Sequence, residues 1–156
     1  MHMRLIQSHM EMLKLSKKAD YALIAVRHLA THSGERSYSA SDIAQVYGIS
    51  ATLLAKILQR LARHGLVTAR HGSSGGYQLA RSPKEISALE VINAVDGPLM
   101  ITSCITSHGN CGQSTTCTIR EPLRRVNDSI LQVLRTVTIS QMTEESPEAE
   151  LVGLST

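Results

Sequence analysis

Phenylalanine and tryptophan are absent from this 156-residue chain, and tyrosine occurs only four times. Any core must therefore be built from aliphatic side chains. Cysteine occurs three times, at positions 104, 111 and 117. An odd count crowded into one short segment argues against a disulfide framework. No run of about 18 apolar residues exists, so no membrane-spanning helix is predicted. No basic-then-apolar leader opens the chain, and it reads as cytoplasmic. Paired carboxylates, a nucleophile–base arrangement and a phosphate-binding loop are also missing, which argues against an enzyme. His64, His71 and His108 are scattered and need no functional role.

Hydrophobic residues make up 42% of the chain, enough to bury a core. The net charge of +3 conceals a division. Residues 12–85 hold eleven Lys or Arg against four Asp or Glu, a balance of +7, whereas residues 86–156 hold four against eight, a balance of −4. A basic first half suggests a nucleic-acid face.

The first eleven residues, MHMRLIQSHME, have no periodicity and read as an extraneous or disordered leader, with a natural start near Met12. From Ser16 to His32 the residues Ala19, Ala22, Ala25, Val26, Leu29 and Ala30 recur at helical spacing, predicting a helix with one buried stripe that Gly34 stops. Ser39 or Ser41 can cap a short second helix through Ile43, Ala44 and Val46, ended by Gly48. Ser50 caps a third, ATLLAKILQRLARH, with Leu53, Leu54, Ile57, Leu58 and Leu61 inward and Gly65 closing it. Residues 66–70 and 77–80 read as strands joined by the turn HGSSGG. A helix over 88–95, a break at Asp96-Gly97-Pro98, a polar loop over 99–117 and a long helix over 121–137 complete the pattern.

The predicted fold is mainly α with a small β-hairpin. It comprises a winged helix-turn-helix DNA-binding domain over 12–85, a cysteine loop and long C-terminal dimerisation helix over 86–142, and a mobile acidic tail over 143–156. In such a domain the second helix of the pair presents its N-terminal residues to base edges. Here these are Ser50, Ala51, Thr52, Ala55 and Lys56, with Arg60 and Arg63 further along and directed to phosphates or solvent. Short hydroxyls and one lysine reach base edges without steric conflict. The hairpin tip offers Arg70, His71, Ser73 and Ser74 beside glycines that permit close backbone approach. An ordinary tight turn is the plainer alternative there. Lys17, at the start of the first helix, joins the candidate DNA-binding set.

The cysteines follow the spacing Cys104-x6-Cys111-x5-Cys117. The paired CxxC knuckles of a zinc site are lacking, although His108 lies among them. Three thiolates at wide, similar gaps can hold most of an iron–sulfur cluster, 2Fe-2S or 4Fe-4S, that still needs a fourth ligand. Thiol redox sensing without a cluster, a zinc-stabilised protein-interaction module and plain packing of buried thiols remain as alternatives.

The segments LSKKADYALIAVRHLA, ISATLLAKILQRLARHGLV, RHGSSGGYQLAR and ALEVINAVDGP, followed by the cysteine triplet, together resemble the IscR/NsrR family of winged-helix iron–sulfur transcription regulators over about residues 13–142. The resemblance implies a homodimer joined through the long helix, reading a two-fold symmetric double-stranded operator, and a cluster that reports iron–sulfur, nitric oxide or redox status, most often as a repressor. It implies Cys104, Cys111 and Cys117 as ligands. In IscR-like members a histidine three residues after the last cysteine is the fourth ligand, but Arg120 stands there in this chain. In NsrR-like members the fourth ligand is an aspartate of the partner subunit's first helix, the position that Asp20 matches here. The first cysteine gap is x6 where the family commonly has x5. The groove-facing Glu-Gln pair of IscR-like members reads Ala55-Lys56 here, so the operator sequence does not carry over.

Overall fold

The computed structural model describes residues 14–34, 36–100 and 118–144. Helices α1 (Lys17–Thr31), α2 (Ala40–Tyr47) and α3 (Ala51–Arg63) come first. The hairpin β1 (Val67–Arg70) and β2 (Gly76–Leu79) follows, and then α4 (Ala88–Asp96), α5 (Arg120–Thr136) and α6 (Ile139–Thr143). This is the expected mainly helical winged architecture. The predicted cysteine loop falls almost wholly on residues 101–117, outside the described residues.

Local chemistry accounts for the helix starts. The Ser16 hydroxyl accepts from the Ala19 amide at 3.0 Å, satisfying one of the orphan donors of α1. Of the two serines that could cap α2, Ser39 does so: its hydroxyl accepts from Asp42 N at 3.1 Å, and Asp42 Oδ2 accepts in return from Ser39 N at 2.9 Å. The Ser39 amide, aided by the Ser39 hydroxyl and Arg36, holds the Asp42 carboxyl below its ordinary range despite some desolvation. Ser87 and Glu90 repeat the reciprocal cap at α4. Burial pushes the Glu90 carboxyl up, but hydrogen bonds from Ser87 and Arg81 outweigh it and leave the carboxyl lowered.

One aliphatic core joins these elements. On α1 the buried face is Ala19, Ala22, Ala25, Val26 and Leu29; on α3 it is Leu54, Ile57, Leu58 and Leu61; on α4 it includes Val91, Ile92 and Val95. On α2 only Ile43 and Ala44 are buried, and Val46 is 64% exposed. In its last turn the link to α1 is made instead by Tyr47, whose hydroxyl lies 3.0 Å from Nδ1 of the buried His28. Leu53 is only partly buried, packing at the edge of the core.

Two features had no local signal. After α5 the chain turns back through α6, where Ile139 is fully buried and donates its N–H to Ile86 O at 2.9 Å, while Arg27 Nε donates to Met142 O at 2.8 Å. Tyr38 also pairs with Tyr77 of β2 through two backbone bonds, of 3.1 and 2.7 Å, extending the hairpin by one short antiparallel bridge. The hairpin itself is antiparallel, with Val67 opposite Leu79 and Arg70 opposite Gly76.

That bridge constrains Gly76. It sits at φ +154°, and a Cβ there would lie 2.5 Å from the Tyr38 carbonyl carbon. Gly72, at φ +108°, faces open space. Gly76→Ala is therefore expected to cost about 1–3 kcal/mol through backbone collision. Gly72→Ala should cost roughly 1 kcal/mol from its dihedral alone. Urea denaturation of both variants checks the order, and equal losses would contradict it.

Candidate nucleic-acid interface

The second helix of the helix-turn-helix is α3, and its two faces are chemically distinct. Ser50 caps it, accepting from Leu53 N at 3.4 Å. Ala51, Thr52, Lys56, Gln59 and Arg63 are exposed, and Ala55 is half-buried. Thr52, Lys56, Gln59 and Arg63 recur at helical spacing and so share one stripe opposite the leucine-rich face. Gln59 was missed by reading only the first two turns. The same spacing that places Thr52 and Lys56 together includes it, and its amide has the donor–acceptor pair that suits adenine.

Arg60 is exposed, as expected, but it also has an internal partner: its Nη1 donates to the carbonyl of Val95 at 2.7 Å. The end of α3 and the end of α4 meet here. Both helix C-termini carry partial negative charge, so a cation between them is electrostatically favoured.

At the hairpin, Gly75 N donates to Gly72 O at 3.0 Å, closing the turn, and Gly75 has no room for a Cβ, which would lie 2.7 Å from Arg70 O. Arg70, His71, Ser73 and Ser74 are all exposed around this tip. Lys17 and Asp20 are exposed in the first turn of α1. Ser16, one turn before Asp20, donates its hydroxyl to Asp96 Oδ2 at 2.5 Å. Asp20 therefore lies near the end of α4, from which the chain runs on toward residue 101.

Cys104, Cys111 and Cys117 lie outside the described residues. Among the described residues no group of three or more His, Cys, Asp or Glu is placed to hold a metal ion, and no helix is long and apolar enough to cross a membrane. Helix α5 leaves an apolar stripe uncovered: Ile119, just before it, is 58% exposed, Val126 49% and Val133 60%. Of its 17 residues only Asn127 is buried.

A helix-turn-helix with a polar outward stripe on its second helix, followed by a glycine-tipped hairpin, defines a winged helix-turn-helix DNA-binding regulator. The family described as "Rrf2: Iron-dependent Transcriptional regulator" matches residues 15–145, and the chain belongs to that family. The HTH-type transcriptional regulator IscR of Pectobacterium carotovorum is 33% identical over 130 residues, 83% of this chain and 79% of that protein. Among solved structures, CymR, the global cysteine regulator of B. subtilis, is 30% identical with a TM-score of 0.70, covering 84% of this chain and 96% of that one. T. potens IscR is likewise 30% identical with a TM-score of 0.70, covering 88% and 91%. The chain is thus a transcription regulator that binds DNA, and its relatives are regulators rather than enzymes.

Proposed function

We propose that the protein is a homodimeric, sequence-specific repressor that reads a two-fold symmetric operator and senses iron–sulfur, nitric oxide or redox status through a cluster held by Cys104, Cys111 and Cys117, with Asp20 of the partner subunit as fourth ligand. One feature carries the proposal. The segment holding all three cysteines joins α4, which is tied to the recognition helix, to α5, whose apolar stripe has no cover among the described residues. The donor set fits such a group: three soft thiolates and one carboxylate. When bound, a cluster supplies oxidant- and nitric-oxide-sensitive ligation.

The chain's own residues do the rest. Ser50, Thr52 and Lys56 face the major groove. Arg70, His71, Ser73 and Ser74 approach the adjacent backbone or minor groove, and Lys17 adds positive charge. Residues 12–85 form the reading head and 86–142 the sensing and pairing part. Ligation or release of the cysteines acts on the two elements that their segment joins, and so on the spacing of the two recognition helices. That spacing must match half-sites about one helical turn of DNA apart.

Anaerobically purified protein is expected to be brown, with iron and acid-labile sulfide in near-stoichiometric amounts. Colourless, iron-free protein under those conditions ends the cluster reading. If the affinity of that metal-free protein for DNA then responds reversibly to oxidants, the cysteines act by thiol chemistry instead.

Val126→Asp and Val133→Asp together should yield a folded monomer by light scattering. Operator affinity should fall on the order of 10²-fold, because the second half-site no longer benefits from linkage. A dimer of unchanged affinity would contradict the pairing surface.

Arg70→Ala should weaken all duplexes alike and reduce the slope of log affinity against log salt by about one. Thr52→Ala should instead relax preference at one base position, leaving the slope intact. Binding titrations on operator and scrambled duplexes at several salt concentrations distinguish the two.

A further inference from the structure

We infer that Arg60 is a positioning residue that passes the state of the α4 C-terminus to the recognition helix, and is not itself a DNA contact. The inference rests on the DNA-reading role of α3 proposed above. It begins from how α4 ends. Gly97 N closes the helix onto Asn93 O at 2.9 Å. The next amide in reach of Val95 O is that of Leu99, but it donates instead to the Asn93 side chain, Oδ1, at 3.2 Å. The Val95 carbonyl is thereby left without its helical donor, and a helix-terminal carbonyl needs one. Arg60 Nη1 supplies it at 2.7 Å.

Residues 93–99 are therefore a junction of three connections. Asp96 holds the cap of α1 through the Ser16 hydroxyl at 2.5 Å. Val95 holds α3 through Arg60. Asn93 holds the chain at Leu99, from which it enters the cysteine segment. If the Asn93–Leu99 bond breaks, Leu99 N is free to return to Val95 O and compete with Arg60. Helix α3 is rigid, so a shift at Arg60 moves Lys56 and Thr52, one and two turns away, by comparable amounts. The guanidinium also sits where two negative helix poles converge, so its position depends on the geometry of both ends.

The test is a double-mutant cycle of Asn93→Ala and Arg60→Ala in the full chain, read first in the free protein. Asn93→Ala should move the backbone amide NMR resonances of Ala51–Leu58 when Arg60 is present, and the movement should shrink several-fold in Arg60→Ala. On operator duplex, Asn93→Ala should change affinity on the order of fivefold with Arg60 present and leave it unchanged without Arg60. Arg60→Gln, which keeps an N–H donor but loses the charge, should restore part of the coupling. Equal resonance shifts in both backgrounds would overturn the inference. So would an Arg60→Ala variant whose salt slope drops by about one while its response to Asn93→Ala persists, since that marks a phosphate contact. If the free protein shows the coupling but no duplex binds at low salt, the DNA-reading role falls and the coupling stands.

Discussion

The small-residue face of α1 is the constraint on which the rest of the structure depends. Ala19, Ala22 and Ala25 are fully buried, with Val26 and Leu29 continuing the stripe. Helices α3, α4 and α6 all pack against α1, and small side chains on its buried face favour close approach of helix axes. Larger residues there would push α4 outward and lengthen the 2.7 Å reach from Arg60 to Val95. With no Phe or Trp in the chain, Leu, Ile and Val fill most of this core. Among the described residues the rings gather around the buried His28 and Tyr38: His28 meets Tyr38 edge-on at 4.9 Å and Tyr47 edge-on at 5.5 Å.

Much of this was legible in the sequence because the relevant signals are local. The α1 stripe, the Ser50 cap, the glycine closing the recognition helix and the run from Ala88 to Val95 all depend on residues within a turn or two of one another. Features that depend on a distant partner were not legible. Nothing near Ile139 announces that it is buried against Ile86, because its neighbours Ser140 and Gln141 are polar and α6 has only five residues. Tyr38 pairs with a strand nearly forty residues later, and a single bridge leaves no alternation to read.

The candidate interface divides along the same line. The outward stripe of α3 is a periodicity, so the exposure of Thr52 and Lys56 could be read from the sequence, and Gln59 falls under the same rule. Arg60 is exposed, as read, but charge on a basic segment does not announce that it also has an internal partner. That partner is a carbonyl 35 residues away, and no local signal marks it. A cation in a DNA-binding domain can therefore have an internal role that composition hides, and sequence charge counts overstate the number of residues facing nucleic acid.

The same caution refines the charge division. The first half's +7 includes Arg60, bonded to a carbonyl, and Arg81, paired with Glu90 at 2.8 Å. The second half's −4 is not a property of its helices. Helix α5 carries Arg120, Arg124, Arg125 and Arg135 against Glu121 and Asp128, a balance of +2, whereas Glu144, Glu145, Glu148 and Glu150 crowd into the last thirteen residues. The contrast thus runs between residues 12–85 and residues 144–156, not between the first half and helix α5. In the proposed dimer, a helix of positive balance gains nothing from long-range charge attraction to its symmetry mate. At physiological ionic strength such like-charge repulsion is screened within roughly 8 Å, which leaves the apolar stripe through Ile119, Val126 and Val133 as the favourable term. That stripe continues along the half-buried Leu123, Ile130, Leu134 and Val137, and its burial scales with area removed from water rather than with charge. Association through α5 should therefore be nearly insensitive to salt, while DNA binding by α3 and the hairpin is steeply sensitive to it. The two proposed interfaces would thereby be separable by ionic strength alone.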